Sequence, residues 1–484
     1  MAWDIRGTGR TILRGGWGEY RGHDSWNDTS PAVGLTQHAT TVSYAASSLS
    51  AISQQNISPA SGTLPNVNSF MTTGTVNGTT NGDREEPLTD TYSVNFSQVL
   101  PSHMIFELSY VGNNSRFLIN GGSTQPVTLD NVNAIPIAGL YKPDPDTASP
   151  NFGKVLTPTG TNTGATNQST TAGSASTQQV NEYRPLNTPR VQYSAIDVTN
   201  HNLFANYNGL QMGIGRQTGR VLFNINYTYS KALGIRGAGA NDANGFPGDP
   251  FNIYNNYGSE SFDRRHIFNA SYTFLVGNPV HNRFIGELAN GWELSGVTNF
   301  QSGGDISAIT TPNLSPSGTI GPINLPNVTP TMANPNAISV SNTVYLGTPD
   351  VSLQPTVTCD PRSGRSKGQL MNPGCFGLPD FLHNGPYQLP FLAEPAFFNS
   401  DLSAQKSFQI VREQTIQFRL SAFNFLNHPL NTISNSFNNQ YQLNFTNPNS
   451  NAFVQSGSNS SLGFGTDPYK TGRRIIELMA KYNF

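Results

Sequence analysis

The sequence predicts an all-β protein whose antiparallel strands form a transmembrane β-barrel. Three observations lead to this prediction: a low content of charged residues, strand-length segments that alternate apolar and polar residues, and a regular succession of short turns and long polar loops. A secreted all-β protein or a disordered polar chain would share some of these features. All three together are typical of a sheet with lipid on one face and water on the other.

The composition excludes several classes of protein. Only 12% of the 484 residues are charged, against roughly 25% in soluble globular domains. No run approaches the roughly 18 consecutive apolar residues that a membrane-spanning helix requires. The net charge is -2 and no basic block is present, so nucleic acid is not expected as a partner.

Alternating segments define the expected strands, and the clearest runs from Val221 to Lys231 after a short turn at 217–219. Successive side chains of a strand point to opposite faces, so one face is apolar and the other polar. We expect lipid-facing side chains at Val221, Phe223, Ile225, Tyr227, Phe268, Tyr272, Phe418 and Leu420. We expect lumen-facing side chains at Asn224, Asn226, Thr228, Asn269, Ser271 and Ser295.

Turns and loops differ sharply in length. Loops as long as those between the strand pairs are uncommon in compact soluble domains, whereas outer-membrane barrels have short periplasmic turns and long extracellular loops. The short turns are expected near residues 7–10, 101–102, 217–219 and 412–414. The long loops are expected at roughly 23–86, 119–202, 234–262, 302–395 and 428–470.

The two cysteines, Cys359 and Cys375, lie in one stretch rich in Pro, Gly and Ser. No histidine is close enough to complete a zinc site with them. A disulfide that closes part of a long loop is the favoured interpretation, and it implies an oxidising compartment. Two free thiols remain the alternative.

Residue patterns that carry catalytic chemistry are not found. The sequence has no nucleophile elbow and no paired histidines on a helix, and its eight histidines are scattered. We therefore predict no catalytic residue, no cofactor and no metal ligand, and we do not expect an enzyme.

The last strand is expected from about residue 473 to the C-terminus, which is aromatic. This end resembles the signal that the outer-membrane barrel assembly machinery reads, so that machinery is an expected partner. The residues of this signal are Ile476, Leu478, Ala480, Tyr482 and Phe484.

Five further segments resemble the C-terminal barrel of TonB-dependent outer-membrane receptors, of the type with a carboxypeptidase-regulatory-like N-terminal domain. One of them is Phe-Asp-Arg-Arg-His at 262–266, and the resemblance extends over most of the chain. It identifies a type of barrel and not a substrate. The five segments are 2–18, 207–211 with 227–231, 262–266, 291–296 and 423–429.

The resemblance implies a domain organisation that this chain does not contain. Such receptors have a signal peptide, an N-terminal sandwich domain and a plug inside a barrel of about 22 strands. We count about eleven strands here, an odd number where bacterial barrels have even ones. We therefore expect residues 1–484 to be a partial barrel, an open half-sheet, without those other parts. A small closed barrel is the alternative.

The resemblance also implies transport. The parent protein would import a scarce solute across the outer membrane, a siderophore, an oligosaccharide or a peptide, and would contact TonB through the missing N-terminal parts. Outer-membrane lipid would surround the barrel. A structural or adhesive outer-membrane protein and a passive porin are the alternatives.

Overall fold

A computed structural model provides the structure of the chain. It describes residues 1–23, 75–79, 82–120, 131–147, 149–158, 169–187, 193–235, 249–260, 262–305, 315–317, 319–320, 338–367, 369–387, 389, 392–411, 414–431, 442–445, 453–455 and 470–484.

Eleven antiparallel strands form one continuous sheet, and their order in the sheet follows their order in the chain. This confirms the predicted all-β architecture and the expected number of strands. The strands are β1 (Ala2–Asp4), β2 (Thr11–Arg21), β3 (Leu88–Leu100), β4 (Met104–Asn120), β5 (Ala195–Arg216), β6 (Val221–Ile235), β7 (His266–Leu275), β8 (Glu293–Gln301), β9 (Phe397–Val411), β10 (Gln414–Phe423) and β11 (Ile475–Asn483).

Short and long connections lie at opposite rims of the sheet, because every strand is antiparallel to its neighbours. The short-turn rim carries the connections 5–10, 101–103, 217–220 and 412–413, of which 412–413 lies outside the described residues. The same rim carries 276–292, a longer connection that the sequence analysis did not anticipate. The long-loop rim carries the connections 22–87, 121–194, 236–265, 302–396 and 424–474.

Several strands extend beyond the boundaries expected from sequence. Pairing between β4 and β5 continues to Asn120 and Asn200, with shifts in register near its end. This extension falls in the expected loop 119–202. Here Leu118 and Leu203 pack in an apolar cluster with Ile235, and the polar residues around them interrupt the alternation while the backbone hydrogen bonds continue.

The sheet is open. In the part of the chain that the structure describes, β1 pairs with β2 and β11 pairs with β10, and the two end strands do not pair with each other. Two short strands join the sheet from the side: Thr75–Thr79 runs parallel to β5, and Tyr257–Ser259 pairs with the end of β6. This agrees with the expected half-sheet.

The remaining regular elements are short and lie in the connections. Among the residues that the structure describes, two are α-helices, α1 (Thr177–Glu182) and α2 (Arg283–Ala289). The 3-10 helices are Pro101–His103, Gly139–Tyr141, Ala172–Ser174, Ile253–Asn256 and Pro373–Cys375, and Asn342–Leu346 forms one π-helical turn. The short strands are Ser315–Ser317, Thr319–Ile320, Ile338–Ser339, Thr356–Val357, Phe376–Gly377, Leu430–Asn431, Gln442–Phe445, Phe453–Gln455 and Lys470–Thr471.

Among the described residues, two apolar cores lie in the long loops, and a smaller cluster around Leu203 and Ile235 lies at the long-loop ends of β5 and β6. One core surrounds Leu346, Leu353 and Phe376, and another surrounds Ile135 and Leu140. These side chains are almost fully buried. The sheet itself is a single layer, so its two faces are the surfaces that a function must use.

Candidate functional site

The register of the sheet groups the side chains into two faces, because residues paired across antiparallel strands lie on the same face. Phe223 pairs with Tyr272, which pairs with Gly296. The chain of partners continues through Leu402 to Ala422. One face can therefore be followed from β6 to β10.

The C-terminal strand continues that face. Leu420 pairs with Leu478, and Phe418 pairs with Ala480. All the residues expected to face lipid, together with the assembly-signal residues of β11, thus share one face, which we call the apolar face. Its members include Val221, Phe223, Ile225, Tyr227, Phe268, Tyr272, Phe418, Leu420, Ile476, Leu478, Ala480 and Tyr482.

Large apolar side chains on this face are exposed. The exposed fraction is 48% for Phe418, 45% for Leu420 and 84% for Leu478. The face extends to the N-terminal edge, where Trp3 and Trp17 are also exposed. Soluble proteins rarely expose a continuous apolar patch larger than a few hundred square ångströms, so this face needs an apolar environment.

The opposite face is polar. Asn224 pairs with Ser271, and Asn226 pairs with Asn269. Thr228 and Ser295 belong to the same set, because they pair with Ile267 and Thr273. We call this the polar face; its members are Asn224, Asn226, Thr228, Asn269, Ser271 and Ser295.

A trough of about 480 Å³ lies on the polar face. Each of the strands β6 to β10 contributes two polar-face residues and the one residue between them. On β7, for example, these are Ser271, Thr273 and the intervening Tyr272. The intervening residue points its side chain to the other face and reaches the trough only through its main chain. The sheet is therefore concave on its polar face.

At the long-loop rim, two loops fold together. We call the described parts of the loops 121–194 and 302–396 the cap. A buried ion pair between Arg184 and Asp350 joins the two loops, with Nη1 2.7 Å from Oδ2 and Nη2 3.1 Å from Oδ1. Arg184 Nε also donates to Asn181 Oδ1. Both charged side chains are less than 10% exposed.

Main-chain bonds complete the seam between the two loops. Ala138 N donates to Leu346 O, and Leu140 N donates to Gly347 O. Gly347 has a φ of +66°, and a Cβ there would lie 2.7 Å from the Tyr141 ring. The seam therefore requires glycine at this position.

The cysteines lie in the second loop of the cap. The structure has a disulfide between Cys359 and Cys375, with Cα atoms 4.8 Å apart. Cys375 is fully buried beside Phe376, which belongs to the larger apolar core. The bond thus ties the exposed segment around Asp360 to the core of the cap.

A cavity of about 490 Å³ separates the two loops of the cap. Hydroxyl side chains of Ser339, Ser341 and Thr343 line part of it. Nearby, burial raises the pKa of Glu182 to about 7, with a further contribution from the carboxylates of Asp146 and Asp144.

Two of the segments that carry the family resemblance, 227–231 and 262–266, meet near the long-loop end of β6. Lys231 Nζ contacts Asp263 Oδ2 at 2.7 Å, and the main-chain N–H of Ala232 donates to Asp263 Oδ1. Tyr227 Oη and His266 Nδ1 are 2.7 Å apart. These contacts fix the start of β7 against β6.

A third segment, 423–429, forms the turn after β10. Asn424 is almost fully buried; its main-chain N–H donates to Asp401 Oδ1 and its side chain binds both the N–H and the carbonyl of His428. The side-chain amide also donates to Gly472 O. The turn therefore holds the ends of β9, β10 and the approach to β11 together.

Groups suited to metal binding or to a membrane-spanning helix are not found among the described residues. No cluster of three His, Cys, Asp or Glu side chains could hold a metal ion there. No described helix has the length and apolarity to cross a membrane.

Comparison with known protein families identifies the chain. Residues 1–475 match the model of the outer membrane beta barrel domain. The chain belongs to this family. An outer-membrane barrel domain is located in the outer membrane, which provides the apolar environment that the apolar face needs. A search of curated proteins gives no significant match.

Three solved structures are similar to this outer-membrane barrel chain at low identity. The outer membrane transporter YddB from Escherichia coli has 9% identity and a TM-score of 0.36, covering 99% of this chain and 40% of its own. The ferric-catecholate import receptor Fiu from E. coli K12, in a closed form, has 7% identity and a TM-score of 0.34. The match covers 99% of this chain and 33% of Fiu. The FrpB iron transporter from Neisseria meningitidis (F3-3 variant) has 10% identity and a TM-score of 0.30. The match covers 85% of this chain and 33% of FrpB. This chain thus spans less than half the length of these proteins.

Proposed function

We propose that this chain is the barrel segment of a TonB-dependent outer-membrane receptor that imports a scarce solute, and that it is not an enzyme. The observation that carries the proposal is the open eleven-stranded sheet with one apolar and one polar face. An open edge is not viable in lipid, because each unsatisfied backbone group costs several kcal/mol. Further strands must therefore complete the barrel, and a plug would fill it.

The orientation of the sheet is part of the proposal. The apolar face lies against lipid and the polar face lines the lumen, which the concave trough on the polar face supports. The short-turn rim lies in the periplasm and the long-loop rim outside the cell, as in other barrels of this kind. The cap is then the part of the chain that meets a solute first.

The polar face and the cap support a preference among the three candidate solute classes. Asn, Ser and Thr predominate on the polar face, and hydroxyl groups line the cap cavity. Such surfaces suit an oligosaccharide or a peptide better than a highly charged ligand. A ferric siderophore is the third candidate.

The test is to express the complete coding sequence that contains this chain in a Gram-negative host with and without TonB. Uptake would be measured for malto-oligosaccharides, oligopeptides and a ferric catecholate siderophore. We expect uptake of one probe that disappears without TonB. Uptake that is independent of TonB and falls with solute size would establish a porin instead, and adhesion without uptake would establish an adhesin.

A further inference from the structure

The connection 276–292 at the short-turn rim contains the helix α2, which the sheet does not need as a turn. Asn282 caps the helix by accepting hydrogen bonds from Phe284 N and Ile285 N. The other short connections that the structure describes reverse the chain within three to six residues without an α-helix. The additional residues therefore call for a role other than chain reversal.

The helix presents three large apolar side chains to its surroundings. The exposed fraction is 88% for Phe284, 59% for Ile285 and 67% for Leu288. Positions three and four residues apart lie on the same side of a helix, so the three side chains form one exposed ridge. Glu287 borders this ridge next to Phe284, on the side of the helix away from Ile285.

Contacts with β9 place the helix on the apolar side of the sheet. Lys406 belongs to the apolar face, because it pairs with Phe418. Its Nζ donates to the carbonyls of Glu287 and Asn290 at the end of α2, and it lies 4.7 Å from the centre of the Phe408 ring. Only 5% of Lys406 is exposed. The helix thus covers a charge that would otherwise face lipid near the rim.

A tryptophan also contacts the C-terminal end of the helix. Trp292 lies two residues before Leu294, which is on the apolar face, and its indole N–H donates to Leu288 O at 2.8 Å. Tryptophan is enriched where barrels meet the membrane–water interface. The helix is therefore anchored at the boundary between the apolar face and the rim.

We propose that α2 is an interfacial anchor whose Phe284, Ile285 and Leu288 insert into the phospholipid leaflet next to the short-turn rim. The occupant is lipid because Lys406 holds the end of the helix against the apolar face, which already requires lipid. Amphipathic helices of this kind lie in the plane of the interface, with their apolar side chains roughly 5–10 Å into it. The proposal rests on the orientation given under the proposed function.

The test uses the complete receptor that contains this chain, folded into vesicles of phosphatidylethanolamine and phosphatidylglycerol, part of them brominated near the top of the acyl chains. An environment-sensitive fluorophore is attached at Phe284→Cys, at Glu287→Cys as the matched control, and at Phe418→Cys on the apolar face. We expect blue-shifted emission and bromine quenching at positions 284 and 418. At position 287 we expect red-shifted emission that aqueous iodide quenches.

The outcomes separate this inference from the proposed function. Lipid contact at 418 with an aqueous probe at 284 would overturn the anchor and leave the orientation of the sheet intact. A probe at 284 that neither bromine nor iodide reaches would mean a protein contact, such as a second copy of the chain, and would also overturn it. Aqueous probes at both positions would reject the orientation and the anchor together.

Discussion

Neighbouring residues on β6 show which face of the sheet is assigned to lipid and which to the lumen. Phe223 and Asn224 are neighbours in the chain, yet the first pairs with Tyr272 on the apolar face and the second with Ser271 on the polar face. This alternation was readable from the sequence, because lipid on one side and water on the other impose a period of two. The two positions are therefore a matched pair for testing the assignment.

We expect Phe223→Arg to impair assembly in the outer membrane, because a cation that faces lipid is costly, by up to about 2–4 kcal/mol at the bilayer midplane and by less toward the rim. Asn224→Arg should be tolerated, since its side chain enters the aqueous lumen. The yield of heat-modifiable, membrane-inserted protein measures both. Equal yields for the two variants would contradict the assignment of the faces.

The ion pair of Arg184 and Asp350 was not predictable, because 166 residues separate its members. Removing one partner of a buried pair typically costs about 3–5 kcal/mol, since the other charge stays buried. We expect Arg184→Met to open the cap and increase hydrogen exchange in residues 131–147 and 338–353. Arg362→Met is the control, because it breaks an exposed pair with Asp360 in the same loop. Similar exchange in both variants would show that the pair does not hold the cap.

Glu182 gives the cap a dependence on pH. Its pKa is raised from 4.5 to about 7 by burial and by nearby carboxylates, so the folded cap binds the proton more tightly than the unfolded segment. The stability of the cap is then greatest below the unfolded pKa of 4.5 and falls as the pH rises toward the folded pKa of about 7. Hydrogen exchange of the cap, corrected for intrinsic rates, should increase over that window. Glu182→Gln should remove the increase; an unchanged profile would refute the assignment to Glu182.

At the scale of elements, the strands were predictable and the cap was not. Alternation located β6 because each face meets a different solvent. The ends of β4 and β5 mix polar residues with an apolar cluster around Leu203, so the alternation is interrupted and the expected loop 119–202 was drawn too long. Helix α2 was missed as well, since its three apolar residues are too few to establish a helical period in sequence. The turns in the cap depend on contacts between separate loops, such as that of Gly347 with Tyr141.

The disulfide is expected to stabilise the second loop of the cap and not the sheet. It joins residues 16 positions apart, and closing a loop of about that length contributes around 3 kcal/mol through the unfolded state. Cys359→Ser with Cys375→Ser should therefore increase proteinase K cleavage within 356–377. Reduction of the unaltered protein should have the same effect. Loss of membrane insertion in the double variant would contradict a role confined to the cap.

At the scale of the whole molecule, eleven strands in chain order make a curved sheet with two chemically distinct faces. The count of strands and the arrangement of turns and loops followed from the sequence, because antiparallel neighbours must reverse at alternate rims. The partners that complete the barrel, and the solute, do not follow from these residues alone. The central claim is therefore that this sheet crosses the outer membrane with its apolar face to lipid.

Spin labels placed singly at residues 221–228 in the outer-membrane-inserted protein test that claim most directly. The collision rates of each label with oxygen, which dissolves in lipid, and with a water-soluble nickel chelate would be compared. We predict a period of two in both rates, in opposite phase. Oxygen collisions should be highest at 221, 223, 225 and 227, and nickel collisions highest at 222, 224, 226 and 228. Rates without alternation, or alternation with the two phases exchanged, would contradict the account.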